Sequence, residues 1–193
     1  LGAQPRTQPG YSITVNKDRL NNALNEPQNW LLMNGDYGST RYSKLTQINR
    51  HNVKNLRMVW ALALGGMQDV GLNGPEAETN PLIDNGFMYT SDGWGTIYKI
   101  DARQPDRGEF VWTSNPDVRH SGGNVPRTRG IALWEDLVLA NLPDGRVIAI
   151  NRDTGKIVWD KAVATRQEFG GQEKFFTAPL VADGKVIIQN GSG

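Results

Sequence analysis

"INRDTGKIVWDK" (residues 150–161) alternates, breaks at Asp153-Thr154-Gly155, and alternates again into Trp159. Alternation of apolar and polar side chains is the period of a half-buried strand, and Asp, Thr and Gly between two such runs are turn chemistry. The stretch reads as a hairpin with a Trp four residues beyond its turn Gly. "DGWGTIYKIDARQPDRGEFVW" (92–112) repeats the pattern of "DGRVIAINRDTGKIVW" (144–159). Each opens with Asp-Gly, runs through an alternating strand, turns, and sets a Trp four residues after a Gly, Gly108 to Trp112 and Gly155 to Trp159. The first copy has extra residues around Gln104-Pro105-Asp106, an insertion of the kind loop tips accept. Trp60 marks a third, weaker copy.

The spacings Trp60 to Trp112 (52 residues) and Trp112 to Trp159 (47 residues) fall in the range of a four-stranded propeller blade. "PLIDNGFMYTS" (81–91) and "PLVADGKVIIQN" (179–190) match one another as hairpins that open successive blades. Period-two runs also stand at 57–64, 96–101, 108–114, 131–141, 146–151, 156–163 and 185–190. No helical segment interrupts them, so a parallel βαβ sheet is not expected. The fold class predicted is all-β: a β-propeller of about three blades and the start of another, with short helices at its amino-terminal end. A Trp at a fixed place in each blade can lie across to the next blade and tie the two together. Unrelated hairpins in a sandwich are the plainer alternative.

Ahead of the blades, residues 1–17 read as an extended, Pro- and Gly-rich arm, and 18–56 as short helices leading into the propeller from residue 57 to 193. Leu20, Ala23 and Leu24 recur at helical spacing, predicting a helix from about Asp18 to Asn25, ended by Pro27. A second helical turn is expected in "TQINRHNVKNL" (46–56), with Ile48 and Val53 pointing inward.

Composition excludes several classes. The net charge is +1, with 21 basic and 20 acidic residues spread along the chain. No basic stripe suggests nucleic acid or a membrane surface. The apolar runs are too short to span a bilayer as a helix. No charged start followed by an apolar stretch stands at Leu1, as in a mature chain shorn of its leader or in a cytosolic one. With no cysteine, disulfides, thiolate catalysis and Cys-based zinc sites are ruled out. The 22 Gly and six Trp fit many short strands joined by tight turns. A propeller closes with roughly four to eight blades and open strand edges invite pairing, so a second polypeptide carrying the rest of the ring is expected.

"NWLLMNGDYGSTRYSKLTQINRHNVKNLRMVW" (29–60), "AETNPLIDNGFMYTS" (77–91), "RTRGIALWEDLVLANLPDGRVIAINRDTGKIVW" (127–159) and "APLVADGKVIIQNGSG" (178–193) together resemble the quinoprotein alcohol dehydrogenases that use pyrroloquinoline quinone (PQQ). The resemblance runs from about residue 18 to the last residue. It implies an eight-bladed propeller of which this chain is the amino-terminal third or so. It also implies PQQ with Ca²⁺ or a lanthanide, a small alcohol as substrate, an electron acceptor such as cytochrome c, and a periplasmic location.

By the same resemblance, the cofactor contacts are Glu78, Arg129, Thr177, Gly191, Ser192 and Gly193. The catalytic base and the metal ligands fall outside these residues. The chain departs from the family at three places. Thr128 replaces the usual Asn before the Arg, and Gly123-Asn124 stand where many relatives carry paired cysteines over the quinone. Phe176 occupies the usual spacing of a contacting Thr, with Thr177 one residue later.

The residue chemistry agrees. PQQ carries three carboxylates, and the planar guanidinium of Arg129 can grip one through two N–H groups. Glu78 beside a polyanion must share a proton or find a cationic partner. Gly191 and Gly193 admit a close backbone approach, and Ser192 adds a hydroxyl donor. Each has an ordinary alternative: Arg129 in a surface pair with Glu135 or Asp136, Glu78 as a solvated loop acid, and 191–193 as a flexible chain end. Arg127 and Glu76 are the rival candidates. His51 and His120 have no ligand-like spacing, and Trp94 reads as a turn aromatic packed on the rim. The Gly-x-Gly at 93–95 lacks the helix that phosphate binding needs. Two other functions compete. A non-catalytic periplasmic propeller scaffold would share the repeat but has no use for "GDYGSTRYSKLTQIN" (35–49), Glu78 and Arg129. A membrane-anchored sugar-oxidising quinoprotein would carry an apolar span before the propeller.

Overall fold

The computed structural model describes residues 14–65, 76–118, 127–163 and 177–189. Strand β1 (Glu76–Ala77) precedes β2 (Leu82–Asp84), β3 (Phe87–Ser91), β4 (Ile97–Asp101) and β5 (Glu109–Ser114). Then come β6 (Arg127–Thr128), β7 (Ile131–Trp134), β8 (Leu137–Asn141), β9 (Arg146–Asn151) and β10 (Ile157–Ala162). The hairpin of β11 (Leu180–Ala182) and β12 (Lys185–Ile187) completes the series. Strands β2 to β5 form one four-stranded antiparallel meander and β7 to β10 a second, while β1 pairs with β6 in parallel. Asn85-Gly86 and Asp183-Gly184 close the opening hairpins of the first and third units with both residues at positive φ, which matches the twist of the strands they join.

These are radial blades. The first strands of successive units touch, β2 against β7 and β7 against β11. The middle strands β4 and β9 are buried almost throughout, while the outermost strand β10 is exposed at five of its six positions. Period two splits the second blade between two seams. Ile131, Leu133, Val138, Ala140, Ile148 and Ile150 join the core shared with Leu82, Tyr89 and Ile97 of the first blade. The alternate residues Ala132, Leu139 and Ala149 pack with Val181 of β11.

The repeated Gly and Trp have their partners in different blades. The Trp112 indole lies against the Gly155 turn of the next blade, where an added Cβ would stand 2.9 Å from Cγ and Cδ2. Gly108 holds the same place under Trp60, with an added Cβ 2.9 Å from Cη2 and Cζ3. Gly155 has φ 71°, so it both turns the chain and clears room for the ring. Trp112 also donates from Nε1 to the Arg152 carbonyl at 2.9 Å, and its ring is tilted 55° on Tyr89 at 6.3 Å. The seam between blades is thus built from both halves of the motif.

An arm binds the two blades from one side. Helix α1 (Lys17–Asn21) is capped by Asn16, whose side chain accepts from the Arg19 N–H, and a 3₁₀ turn follows at Ala23–Asn25. The single helix expected over 18–25 is therefore two short turns, broken at Asn22. Val15 bridges Glu135 in the β7–β8 turn, and Trp30 bridges Ile83 in β2. Arg19 reaches Asp84 at 2.8 Å and Glu26 at 2.5 Å. Asp84 also accepts from Arg152 at 2.6 Å, and both of those side chains are essentially unexposed.

Two local expectations differ. Residues 57–64 form no ladder among the described residues, because a strand needs a neighbour to take its N–H and C=O groups. Met58 and Val59 of that segment are 82% and 65% exposed, while Trp60 is docked on Gly108. The second helical turn is a 3₁₀ turn at Val53–Asn55, but Ile48 and Val53 point outward, since no described element packs against them.

Candidate functional site

The parallel pair of β1 and β6 sets Glu76 opposite Arg127 and Ala77 opposite Thr128. One residue further on, the Glu78 N–H donates to the Thr128 carbonyl at 3.0 Å. This register places the Glu78 and Arg129 side chains side by side, and Arg129 Nη1 pairs with Glu78 Oε2. Glu78 has thus found the cationic partner its surroundings require. Arg129 makes this pair rather than the alternative one with Glu135 or Asp136. The Asp136 carboxylate instead accepts from the Asn151 side-chain N–H at 3.3 Å. Both members of the pair keep partial exposure, 37% for Glu78 and 31% for Arg129. The Arg129 Nε–H is buried and has no hydrogen-bond partner among the described residues.

The pair stands at a pocket of about 400 Å³. Thr177, Ala178 and Pro179 from the segment entering β11 line it, as do Leu31 to Asn34, Asp36, Tyr37 and Ser39 from the arm's continuation. Its deeper wall is apolar, formed by Leu31, Leu82, Leu133 and Val181. Gly130, at φ 144°, lets β6 meet the third unit closely, since an added Cβ would stand 2.8 Å from the Cβ of Ala178. The Asn141 side-chain N–H donates to the Thr177 carbonyl at 2.7 Å and fixes that segment from the end of β8. Tyr37 donates its hydroxyl to the Val181 carbonyl at 2.6 Å, and burial pushes that hydroxyl up from its ordinary 10.0.

Three of the six residues named from sequence, Glu78, Arg129 and Thr177, therefore line one pocket. Gly191, Ser192 and Gly193 lie outside the described residues, as do Phe176, His120 and the Gly123-Asn124 segment. His51 is exposed, beside Arg50. Sequence reasoning did not find Tyr37, Met33 or Leu31, because they come from an irregular stretch that no period marks. It also missed Asn141, although the register shows that Asn141 ends the second strand of its blade as Ser91 does in the first.

The donor set suits a flat polycarboxylate: a partly exposed guanidinium, a hydroxyl-bearing residue in the same lining, and an apolar wall for a ring. The carboxylate of Glu78 keeps the guanidinium plane fixed and neutralises it while no anion is bound. Among the described residues no group of three or more His, Cys, Asp and Glu side chains converges as metal ligands, and no helix is long and apolar enough to cross a membrane.

Known proteins match this chain over most of its length. The family described as "PQQ: Glucose/ethanol/alcohol dehydrogenase, beta-propeller domain" covers residues 30–191. The quinohemoprotein alcohol dehydrogenase of Comamonas testosteroni is 38% identical over 175 residues, 86% of this chain and 22% of the relative. The 1-butanol dehydrogenase (cytochrome c) of Thauera butanivorans is 35% identical over 84% of this chain and 22% of its own length. The crystal structure of the Comamonas testosteroni enzyme superposes with a TM-score of 0.78 at 36% identity, covering 92% of this chain and 25% of that one. The chain thus spans about a quarter of the length of these relatives. With its radial antiparallel blades and the match over residues 30–191, the chain belongs to the PQQ-dependent glucose/ethanol/alcohol dehydrogenase β-propeller family.

Proposed function

We propose that this chain supplies cofactor-binding residues of a PQQ-dependent dehydrogenase that oxidises small alcohols or aldehydes. The observation that carries the reading is the Glu78–Arg129 pair in the lining of a pocket shared with Thr177. When bound, PQQ would supply the hydride acceptor and Ca²⁺ or a lanthanide a Lewis acid. The chain's own residues bind and orient. Arg129 grips a cofactor carboxylate through N–H groups that its pair with Glu78 leaves over, Glu78 holds the guanidinium in place, and Thr177 offers its hydroxyl. The apolar wall of Leu31, Leu82 and Leu133 keeps water from one side of the pocket, which strengthens these charged hydrogen bonds. In this reading Gly191, Ser192 and Gly193 complete the contact with close backbone and a hydroxyl. The catalytic base and the metal ligands belong to blades outside these residues.

A cytochrome c takes the electrons, and the enzyme works in the periplasm. Support for the acceptor comes from the butanol-oxidising relative, whose name couples it to cytochrome c. A scaffold propeller, by contrast, has no use for a half-buried ion pair lining an apolar pocket. The test is reconstitution of the complete protein with PQQ and Ca²⁺, following alcohol-dependent reduction of a dye. Reduction with at least one alcohol or aldehyde, and quinone absorbance that co-purifies, are expected. Neither signal with any substrate would overturn the reading.

A further inference from the structure

Thr79, Ser91 and Thr128 bring three hydroxyls together behind the Glu78–Arg129 pair. Ser91 and Thr128 are 2% and 3% exposed. Thr128 Oγ1 donates to the Asp92 carbonyl at 2.6 Å, Ser91 Oγ donates to Thr128 Oγ1 at 3.2 Å, and Thr79 Oγ1 lies 2.7 Å from Ser91 Oγ. A carbonyl can only accept, so the Thr128 proton is committed to it. Thr128 Oγ1 is then left to accept, and both Ser91 Oγ and Thr79 Oγ1, at 3.2 and 3.3 Å, stand within reach of it. Thr128 thus ties the cluster to a fixed residue. The Asp92 carboxylate is itself held by the N–H groups of Trp94 and Thr96 at 2.9 and 3.0 Å and by the Tyr98 hydroxyl at 2.8 Å.

Two hydroxyls of this cluster flank the ion pair. Thr79 follows Glu78 and Thr128 precedes Arg129, so the hydroxyls pin both strands of the parallel pair that presents the two charges. The next blade has a matching contact. Ser91 is the last residue of β3 and Asn141 the last of β8; Ser91 holds Thr128, and Asn141 holds Thr177. Thr128 and Thr177 each stand three residues before the first residue of an innermost strand, Ile131 and Leu180. The same strand-end position in two successive blades therefore grips the segment that enters the following blade, and each gripped segment lines the pocket.

We infer that Thr128 is a positioning residue: through the Thr79–Ser91–Thr128–Asp92 chain it sets the orientation of Arg129, and with it the affinity of the pocket for a carboxylate-bearing cofactor. The inference rests on the cofactor reading above. Removing the Thr128 hydroxyl takes the 2.6 Å bond from the Asp92 carbonyl, which keeps the longer one from the Gly95 N–H at 3.2 Å, and leaves the Ser91 hydroxyl to Thr79 alone, so β6 loses its tie to Asp92 and shifts.

The test compares Thr128→Val with Thr128→Ser in the complete enzyme, titrating PQQ against tryptophan fluorescence. Thr128→Val should weaken binding about tenfold, while Thr128→Ser, which keeps the hydroxyl, stays within about twofold of the parent. In an Arg129→Ala background the extra loss from Thr128→Val should shrink to within about twofold, because its effect passes through Arg129. A second readout needs no cofactor: crystal structures of both variants should keep the Glu78–Arg129 pair in Thr128→Ser and displace it in Thr128→Val. Equal affinity for parent and Val variant, no rescue by Ser, an undiminished loss without Arg129, or an undisturbed pair in Thr128→Val would each overturn the inference. A parent enzyme that binds no PQQ defeats the function proposed above, and the ligand-free structures then judge the positioning role alone.

Discussion

Trp112 and Gly155 belong to different blades, yet each leaves the other no spare room: a Cβ on Gly155 would stand 2.9 Å from the indole Cγ and Cδ2. The same Gly sits at φ 71°, where an L side chain is disfavoured. Gly155→Ala should therefore destabilise the protein by about 2–4 kcal/mol, from backbone conformation and overpacking together. Gly108→Ala should cost less, because Trp60 rides on a segment with no ladder to restrain it. Urea midpoints of the two variants check the order, and equal losses would show that the seam is not the cause.

Arg152→Met should be more damaging than its fully buried position alone suggests. The Asp84 carboxylate, unexposed, would keep Arg19 but lose its 2.6 Å partner. Stranding half the countercharge of a buried carboxylate costs about 3–5 kcal/mol. Thermal unfolding measures this, and Asp84→Asn combined with Arg152→Met should recover part of the loss.

Acid sensitivity follows from the same cluster. Burial alone would push Asp84 up, but hydrogen bonds from Arg19 and Arg152 outweigh it and hold the carboxyl below its ordinary 3.8. The hydrogen bond from Arg19 likewise holds Glu26 below 4.5, against its partial burial. A depressed folded value gives stability that is complete above the unfolded value and disappears as pH falls through the folded one. Urea midpoints should thus decline from about the ordinary carboxylate range downward, and Asp84→Asn should flatten the slope.

The alkaline limb has a different origin. Burial, with the Asp92 carboxylate beside it, pushes the Tyr98 hydroxyl from 10.0 up to about 12. A raised folded value means full stability below the unfolded value and loss as pH climbs through the folded one. Between 10 and about 12 stability should fall, with ultraviolet absorbance reporting a tyrosinate that forms only on unfolding. Tyr98→Phe should remove one tyrosinate's share of that signal and part of the slope, leaving the shares of Tyr37 and Tyr89, whose hydroxyls burial also pushes up.

Arg129→Ala should weaken PQQ retention by about ten- to a hundredfold, the worth of a charged hydrogen bond, while shifting the melting temperature little, since the pair is partly exposed. Glu78→Gln, which keeps an acceptor for the guanidinium but not its countercharge, should fall between parent and Arg129→Ala. Equilibrium titration of PQQ gives the values, and retention unchanged by Arg129→Ala would remove that residue from the site.

The blades were legible because the relevant physics is local. Alternation, Asp-Gly and Asn-Gly turns, and a Trp four residues after a Gly all lie within one hairpin. What the repeat could not reveal is which Gly each Trp meets, because that partner lies a blade away. The run at 57–64 has a strand's pattern without a strand's neighbour, and Ile48 and Val53 are apolar residues for which no described surface waits. At the site, Glu78 and Arg129 were found through a family resemblance, and Thr177 with them. The residues that hold these in place, Thr128, Ser91 and Asn141, are small and polar and carry no period. Only the register of β1 on β6 and the ends of β3 and β8 bring them against the segments that line the pocket.

Asp84 receives Arg19 from 65 residues upstream and Arg152 from 68 residues downstream. A ribosome releases the three in that order, so the acid leaves the tunnel with one neutralising group already made and the other still to come. Contacts spanning such separations are slow to close. Until the second blade has been synthesised, a lone first blade holds a carboxylate that water must still solvate, which works against its early burial. The last cation to arrive then closes arm and blades in one cooperative step.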